Sequence, residues 1–299
     1  MRLSGLHILL TYQCTRECAH CFLWGSPRQR GVFSLEQIEQ VLLQAKEAGV
    51  ESIYFEGGEP FIYYEVLVGG VQRAAAMGFA AGIVSNAYWA SSVARAAERL
   101  QPFAGRLSDL TVSSDLYHCD EELGEEAQNA IVAAKWLDIP TGMISIARPD
   151  EDAAQTHGQI KDEGAVMYRG RAAVRLAPRA EQHPWDGFTQ CPHEDLREPG
   201  RAHLDPFGNL HICQGIVIGN VFERPLKEIC ERYDAAAHPI CGPLLEGGPV
   251  ALVGEYNLPH AAAYADACQL CYEARLALRE RFPETLKPDQ MYGVEPAQG

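Results

Sequence analysis

The stretch Cys14-Thr15-Arg16-Glu17-Cys18-Ala19-His20-Cys21 decides the fold through what flanks it. Before it runs Leu6–Leu10, a short apolar segment that reads as a buried strand. After it, Ser34 with Gln37 at the third helical position makes a capping box. The helix it opens carries Leu35, Ile38, Val41, Leu42 and Ala45 on one face and ends at Gly49. Strand, cysteine loop and helix make one βα unit, with the loop at the strand's carboxyl end, where α/β proteins place their ligands.

Further units follow. Strands are expected at Ser52–Phe55, Ala81–Val84, Asp109–Ser113, Met143–Ala147 and Ala173–Leu176, and helices at Tyr64–Met77, Ser92–Leu100 and Glu122–Leu137. Alternation of this kind implies a parallel sheet, and six such strands imply an α/β fold built on a partial (β/α)6 TIM-like barrel. After about residue 180 the rhythm breaks into a turn-rich stretch containing His183-Pro184-Trp185 and Cys191-Pro192. A strand–turn–strand then centres on Pro206-Phe207-Gly208-Asn209. The expected organisation is a barrel over 1–180, a small α+β domain over 181–283, and a Pro-rich polar tail over 284–299 running on the surface.

Composition narrows the function. The 299 residues are 47% hydrophobic and 22% charged, enough to bury a large core. With 25 Lys+Arg against 40 Asp+Glu the net charge is −15, which repels a polyanion, so nucleic acid is excluded as a partner. No apolar run reaches the ~18 residues of a membrane span, and the N-terminal segment lacks a cleavage site, so no membrane partner and a cytoplasmic location are expected. Ten cysteines in such a chain point to metal binding, not disulfides, and their grouping points to two sites.

The first site is Cys14, Cys18 and Cys21. Soft thiolates this close select an iron–sulfur cluster, with one metal position open, or zinc with His20 as a fourth ligand. Here the sequence resembles the radical S-adenosylmethionine (radical SAM) family, whose CxxxCxxC signature follows the first strand of a partial barrel. The resemblance implies a [4Fe–4S] cluster on these three cysteines. S-adenosylmethionine (SAM) would chelate the open iron and be reductively cleaved to methionine and a 5′-deoxyadenosyl radical. His20, before the last cysteine, would pack near the adenosine.

Later strand ends carry further matches. Glu56-Gly57-Gly58-Glu59-Pro60 matches the family's GGEP, which implies that Gly57, Gly58 and Glu59 hold the SAM amino group. Ser85-Asn86-Ala87 resembles the family's Ser/Thr-Asn-Gly, with Ala87 in place of glycine, and either contacts SAM or forms a structural turn. Ser113-Ser114-Asp115, followed by His118, resembles the Ser-x-Asp element, so Ser113 and Asp115 are assigned to the ribose and carboxylate. No Arg lies between Asp115 and Arg148, so Arg148 is the candidate partner of the SAM carboxylate, with Lys135 as a second cation. Tyr63, Tyr64, Tyr88 and Trp89 either line a substrate pocket or pack in the core.

The second site gathers Cys191, Cys213, Cys268 and Cys271, four thiolates that can close a tetrahedral shell around iron–sulfur or zinc. His203-Leu204-Asp205-Pro206-Phe207-Gly208-Asn209-Leu210-His211-Ile212-Cys213 resembles the hairpin of the SPASM/twitch extension, which implies an auxiliary [4Fe–4S] cluster. No cysteine follows Cys271, which points to the shorter twitch form with one cluster. Cys230 reads as a buried hydrophobe, Cys119 as a possible hydrogen-atom donor, and Cys241 as a rival for one auxiliary ligand.

These readings imply a radical SAM enzyme of oxidoreductase type. It abstracts a hydrogen atom from a small molecule, with the auxiliary cluster taking an electron or anchoring the substrate, and with a flavodoxin or ferredoxin as reductant. The first strand starts near Met1, which leans toward a small molecule. A peptide-modifying maturase is the alternative within the family, and a non-catalytic iron–sulfur electron-transfer or scaffold protein the alternative outside it.

Overall fold

A computed structural model describes residues 1–115, 124–146 and 165–295. The strands are β1 (Leu3–Thr11), β2 (Ser52–Gly57), β3 (Ala80–Ser85), β4 (Leu107–Ser113), β5 (Thr141–Ile144), β6 (His183–Pro184), β7 (Gly200–Leu204), β8 (Asn209–Cys213), β9 (Ile216–Asn220) and β10 (Ala263–Tyr264). The α-helices are α1 (Leu35–Glu47), α2 (Tyr64–Ala76), α3 (Val93–Leu100), α4 (Glu125–Trp136), α5 (Arg171–Arg175), α6 (Leu226–Arg232), α7 (Cys241–Tyr256) and α8 (Ala267–Leu278). None is long and apolar enough to cross a membrane among the described residues.

The main sheet has the order β5-β4-β3-β2-β1-β7-β8-β9, and β1 to β5 run parallel. This is the expected α/β architecture of a partial barrel. The helices cover one face. Leu6, Ile8 and Leu10 on β1, Ile53 and Phe55 on β2, and Ile38, Val41 and Leu42 on α1 share one core. Because side chains alternate along a strand, His7 on β1 and Glu56 on β2 turn to the opposite, inner face. The Ser34–Gln37 capping box on α1 is present in both directions.

The sixth parallel strand is not Ala173–Leu176. That segment is the helix α5 with the residue after it, and the sixth parallel strand is β7, paired with β1 on the side away from β2. A four-residue apolar run carries no period long enough to tell strand from buried helix. The preceding Gly170 has φ +58°, and a Cβ there would lie 2.4 Å from the Phe22 carbonyl oxygen, so the chain turns against the cysteine loop instead of extending. The strand expected at Met143–Ala147 is β5, two residues earlier, with Ala147 outside the described residues.

Past β7 a tight turn leads into the antiparallel β8 and β9. Fully buried Asp205 builds it, accepting from the Phe207 and Asn209 amides at 2.9 Å each. The same carboxylate accepts from Tyr12 Oη at 3.0 Å, which ties this hairpin to the loop that leads into Cys14. A second core beside it holds Ile212, Ile216, Leu252, Leu270 and Tyr292. The segment from Pro283 does not run over the surface. Leu286, Met291 and Tyr292 are buried, and Tyr292 donates to the Gly215 carbonyl at 2.7 Å, so apolar burial overrides the polar composition.

Candidate active site

The loop after β1 brings Cys14, Cys18 and Cys21 to one wall of a cavity of about 560 Å³. The loop is held by the Cys14 amide on the Ser26 carbonyl (3.0 Å) and the Cys21 amide on the Cys18 carbonyl (3.1 Å). The sulfurs accept N–H groups: Cys14 Sγ from the Arg16 amide at 3.5 Å and from Asn86 Nδ2 at 3.6 Å, Cys21 Sγ from the Gly25 amide at 3.3 Å. Burial pushes the Cys14 thiol up to about 12 and raises Cys18 well above its usual range, and neighbouring thiolates add to both. Burial and mutual repulsion thus disfavour free thiolates at Cys14 and Cys18, and a metal centre would neutralise them. The donor set, an all-sulfur trio with N–H groups directed at sulfur, fits an iron–sulfur cluster.

Gly57 and Gly58 serve this loop directly. Gly57 has φ +139°, and a Cβ on Gly58 would sit 2.1 Å from the Gln13 carbonyl oxygen. The backbone of β2 can thus press onto the loop, with the Gly58 amide donating to Thr11 and the Glu59 amide to Gln13, both at 2.8 Å. Both glycines also line the cavity.

Glu59 is fully buried behind this wall. Its carboxylate accepts from Ser85 Oγ (2.9 Å), the Asn86 amide (2.8 Å) and the Phe61 amide (3.1 Å). Burial raises the carboxyl to about 7, against the pull of those donors. Glu59 thus organises the Ser85-Asn86 turn, where Ala87 holds φ +59°, the left-handed conformation for which glycine is the usual choice. Asn86 and Ser85 line the cavity.

His20 and Ser113 line the same cavity, and buried Asp115 lies 3.9 Å from His20 Nε2. Arg148, His118 and Cys119 lie outside the described residues. Lys135 is exposed on α4. Cations that line the cavity among the described residues are Arg16, Arg169 and Arg201. The aromatics Tyr63, Tyr64, Tyr88 and Trp89 are not among its lining residues. Tyr63 donates to Gln13 Oε1, Tyr64 to the Arg99 carbonyl and Trp89 to Ser85 Oγ, and Trp89 stacks on Phe61 at 4.1 Å, so hydrogen bonding and packing hold three of them elsewhere.

Four further cysteines converge on a second, smaller cavity, lined by Cys191, Cys213, Cys268 and Cys271. Cys213 ends β8, and the pair Cys268 and Cys271 sits on the first two turns of α8, capped by Asp266 accepting from the Gln269 amide at 2.7 Å. Burial pushes Cys271 up to about 11 and raises Cys191 and Cys268, with neighbouring thiolates contributing. Cys241 does not line this cavity; it starts α7, where its thiol contacts Tyr233. Cys230 is buried in the main core on α6.

Two arginines that sequence reasoning passed over hold the sites together. Buried Arg171 donates to the Cys18 carbonyl at 2.8 Å and the Gly25 carbonyl at 2.7 Å, clamping both ends of the cysteine loop. Arg169 lines both cavities and lies beside Cys213, Glu194 and Phe22. Only the fold brings either to its partner, so nothing local in the sequence marks them.

Residues 8–123 match the model of the Radical SAM superfamily, and this segment is a radical SAM domain. The family match implies a [4Fe–4S] cluster and SAM as cofactors. A PqqA peptide cyclase of Streptomyces rochei is 29% identical over 152 residues, 49% of this chain and 38% of that protein. The antilisterial bacteriocin subtilosin biosynthesis protein AlbA of Bacillus subtilis is 37% identical over 54 residues, 18% of this chain and 12% of that protein. The chain thus spans well under half the length of these curated relatives. Among solved structures, BtrN in complex with AdoMet and 2-DOIA aligns over 78% of this chain and 84% of its own at 13% identity and a TM-score of 0.49.

Proposed function

We propose that the chain is a radical SAM enzyme that oxidises, or forms a bond in, a small molecule bound in the 560 Å³ cavity, with Cys191, Cys213, Cys268 and Cys271 holding an auxiliary [4Fe–4S] cluster. The observation that carries this reading is the single cavity that has the three-cysteine loop on one wall and Arg169, which reaches Cys213, on another. When bound, the cluster of Cys14, Cys18 and Cys21 supplies one-electron cleavage of SAM to a radical that removes a hydrogen atom. Around it, Gly57, Gly58, Ser85, Asn86, His20 and Ser113 form the SAM-facing wall, with Asp115 beside His20 toward the ribose and carboxylate and Glu59 behind the wall, where it holds the Ser85-Asn86 turn on the side of the SAM amino group. Arg16, which lines the cavity, joins Arg148 as a candidate partner of the SAM carboxylate.

The cavity is within the size range of small-ligand pockets, and its lining is mostly apolar with a few polar side chains such as Thr111, Ser113 and Glu56. A peptide side chain is the second reading, favoured by the curated relative named a peptide cyclase and the one named for bacteriocin biosynthesis. Reduced, cluster-loaded protein with SAM separates the two. We expect 5′-deoxyadenosine formation to rise with the small-molecule fraction of a host extract, whereas a rise with the peptide fraction alone overturns the small-molecule reading.

A further inference from the structure

The inner face of the barrel carries a cluster that the reaction proposed above does not use. The parallel register pairs His7 on β1 with His203 on β7 and with Tyr54 on β2, and Glu56 stands two residues along from Tyr54 on the same inward face. Three inward side chains on three hydrogen-bonded strands therefore meet below the cysteine loop. His7 Nδ1 lies 3.3 Å from Glu56 Oε2, and His203 Nε2 lies 3.1 Å from Glu56 Oε1.

We propose that His7, Glu56 and His203 form a divalent metal site in the floor of the cavity. Two imidazoles and one carboxylate are the donors of the two-histidine, one-carboxylate facial site, and one ligand atom from each lies within 4.8 Å of the others. Ligand atoms at right angles on a metal with bonds of about 2.1 Å stand about 3.0 Å apart, close to both observed separations. The three side chains are 19%, 14% and 11% exposed, on rigid strands, and all line the cavity. His7 Nδ1 and Glu56 Oε1 are buried, and both imidazoles face the one carboxylate. Three protein ligands leave coordination positions open toward the cavity, where a substrate carboxylate or hydroxyl would enter. The site is independent of the substrate reading and of the auxiliary cluster.

The test uses cluster-loaded protein, whose thiols are engaged, equilibrated anaerobically with zinc and then freed of loose metal. We expect one zinc per chain, and zinc-edge X-ray absorption with nitrogen and oxygen neighbours at ~2.0–2.1 Å, imidazole scattering and no sulfur shell at ~2.3 Å. His203→Asn and Glu56→Gln should lose the zinc while keeping their iron. Absence of retained zinc in the parent, a sulfur shell, or a shell without imidazole overturns the proposal whether or not the variants fold. Zinc retained by folded variants overturns it as well.

Discussion

Arg169 donates from Nη1 to Cys213 Sγ at 3.5 Å, while its guanidinium faces at 5.4 Å the ring of Phe22, the residue next to Cys21. One buried cation thus touches a thiol of the second cysteine set and the loop of the first. A donor to a ligand sulfur favours the more negative, reduced state of a cluster. Loss of a hydrogen bond to a charged group, ~1.5 kcal/mol, corresponds to roughly 60 mV for a one-electron couple. Arg169→Met should lower the potential of the auxiliary cluster by about that amount and leave the first cluster unmoved, as read by anaerobic redox titration with electron paramagnetic resonance. An unchanged potential contradicts the assignment of Cys213 as a ligand.

Arg171 holds the cysteine loop through the carbonyls of Cys18 and Gly25. Arg171→Ala removes two charge-assisted bonds, leaving the buried Gly25 carbonyl without its partner and the Cys18 carbonyl with the Cys21 amide alone. Iron at the first site should be lost to a chelator at least tenfold faster than in the parent, with iron at the second site retained. Equal loss rates would show that the loop holds without its clamp.

Gly58 has no room for a side chain, since its Cβ would meet the Gln13 carbonyl oxygen at 2.1 Å, whereas Gly254 on α7 has nothing within 4 Å. Gly58→Ala should displace the loop and roughly halve the iron content. Gly254→Ala should keep all iron and gain up to ~1 kcal/mol of stability, because alanine is the better helix former. Iron analysis and thermal unfolding of both variants check this.

Much of this architecture is legible in the sequence, for physical reasons that also mark where legibility stops. β1 to β4 show because each is a short apolar run closed by a turn, and Cys14, Cys18 and Cys21 show because ligands on one loop keep their spacing in the chain. Arg171 does not show, because its partner Cys18 lies 153 residues away. His7 and His203 meet only through the β1–β7 register, and the turn-rich sequence around β7 points to a separate module, not to a sixth parallel strand. The motif assigns Glu59 to SAM, and the hydrogen bonds of its buried carboxylate to the Ser85-Asn86 turn show only in the packing.

That burial gives Glu59→Gln a definite outcome. The amide oxygen can serve one of the two sides now served by the carboxylate, and its NH2 then faces a donor. An unsatisfied buried donor costs ~1–3 kcal/mol, so thermal stability should fall even without SAM. A variant as stable as the parent that loses only SAM affinity would place Glu59 on the ligand instead.

Cys268 and Cys271 sit on α8, a different element from the three-cysteine loop, so replacing both by Ala should abolish product formation and spare slow, uncoupled cleavage of SAM. The measurement that tests the central claim most directly is 5′-deoxyadenosine formed from SAM by anaerobic, dithionite-reduced, cluster-loaded protein. The account predicts that the parent and the Cys268→Ala/Cys271→Ala variant both form it, and that the Cys14→Ala/Cys18→Ala/Cys21→Ala variant forms none. A folded parent that holds its first cluster and binds SAM yet yields no 5′-deoxyadenosine would contradict it.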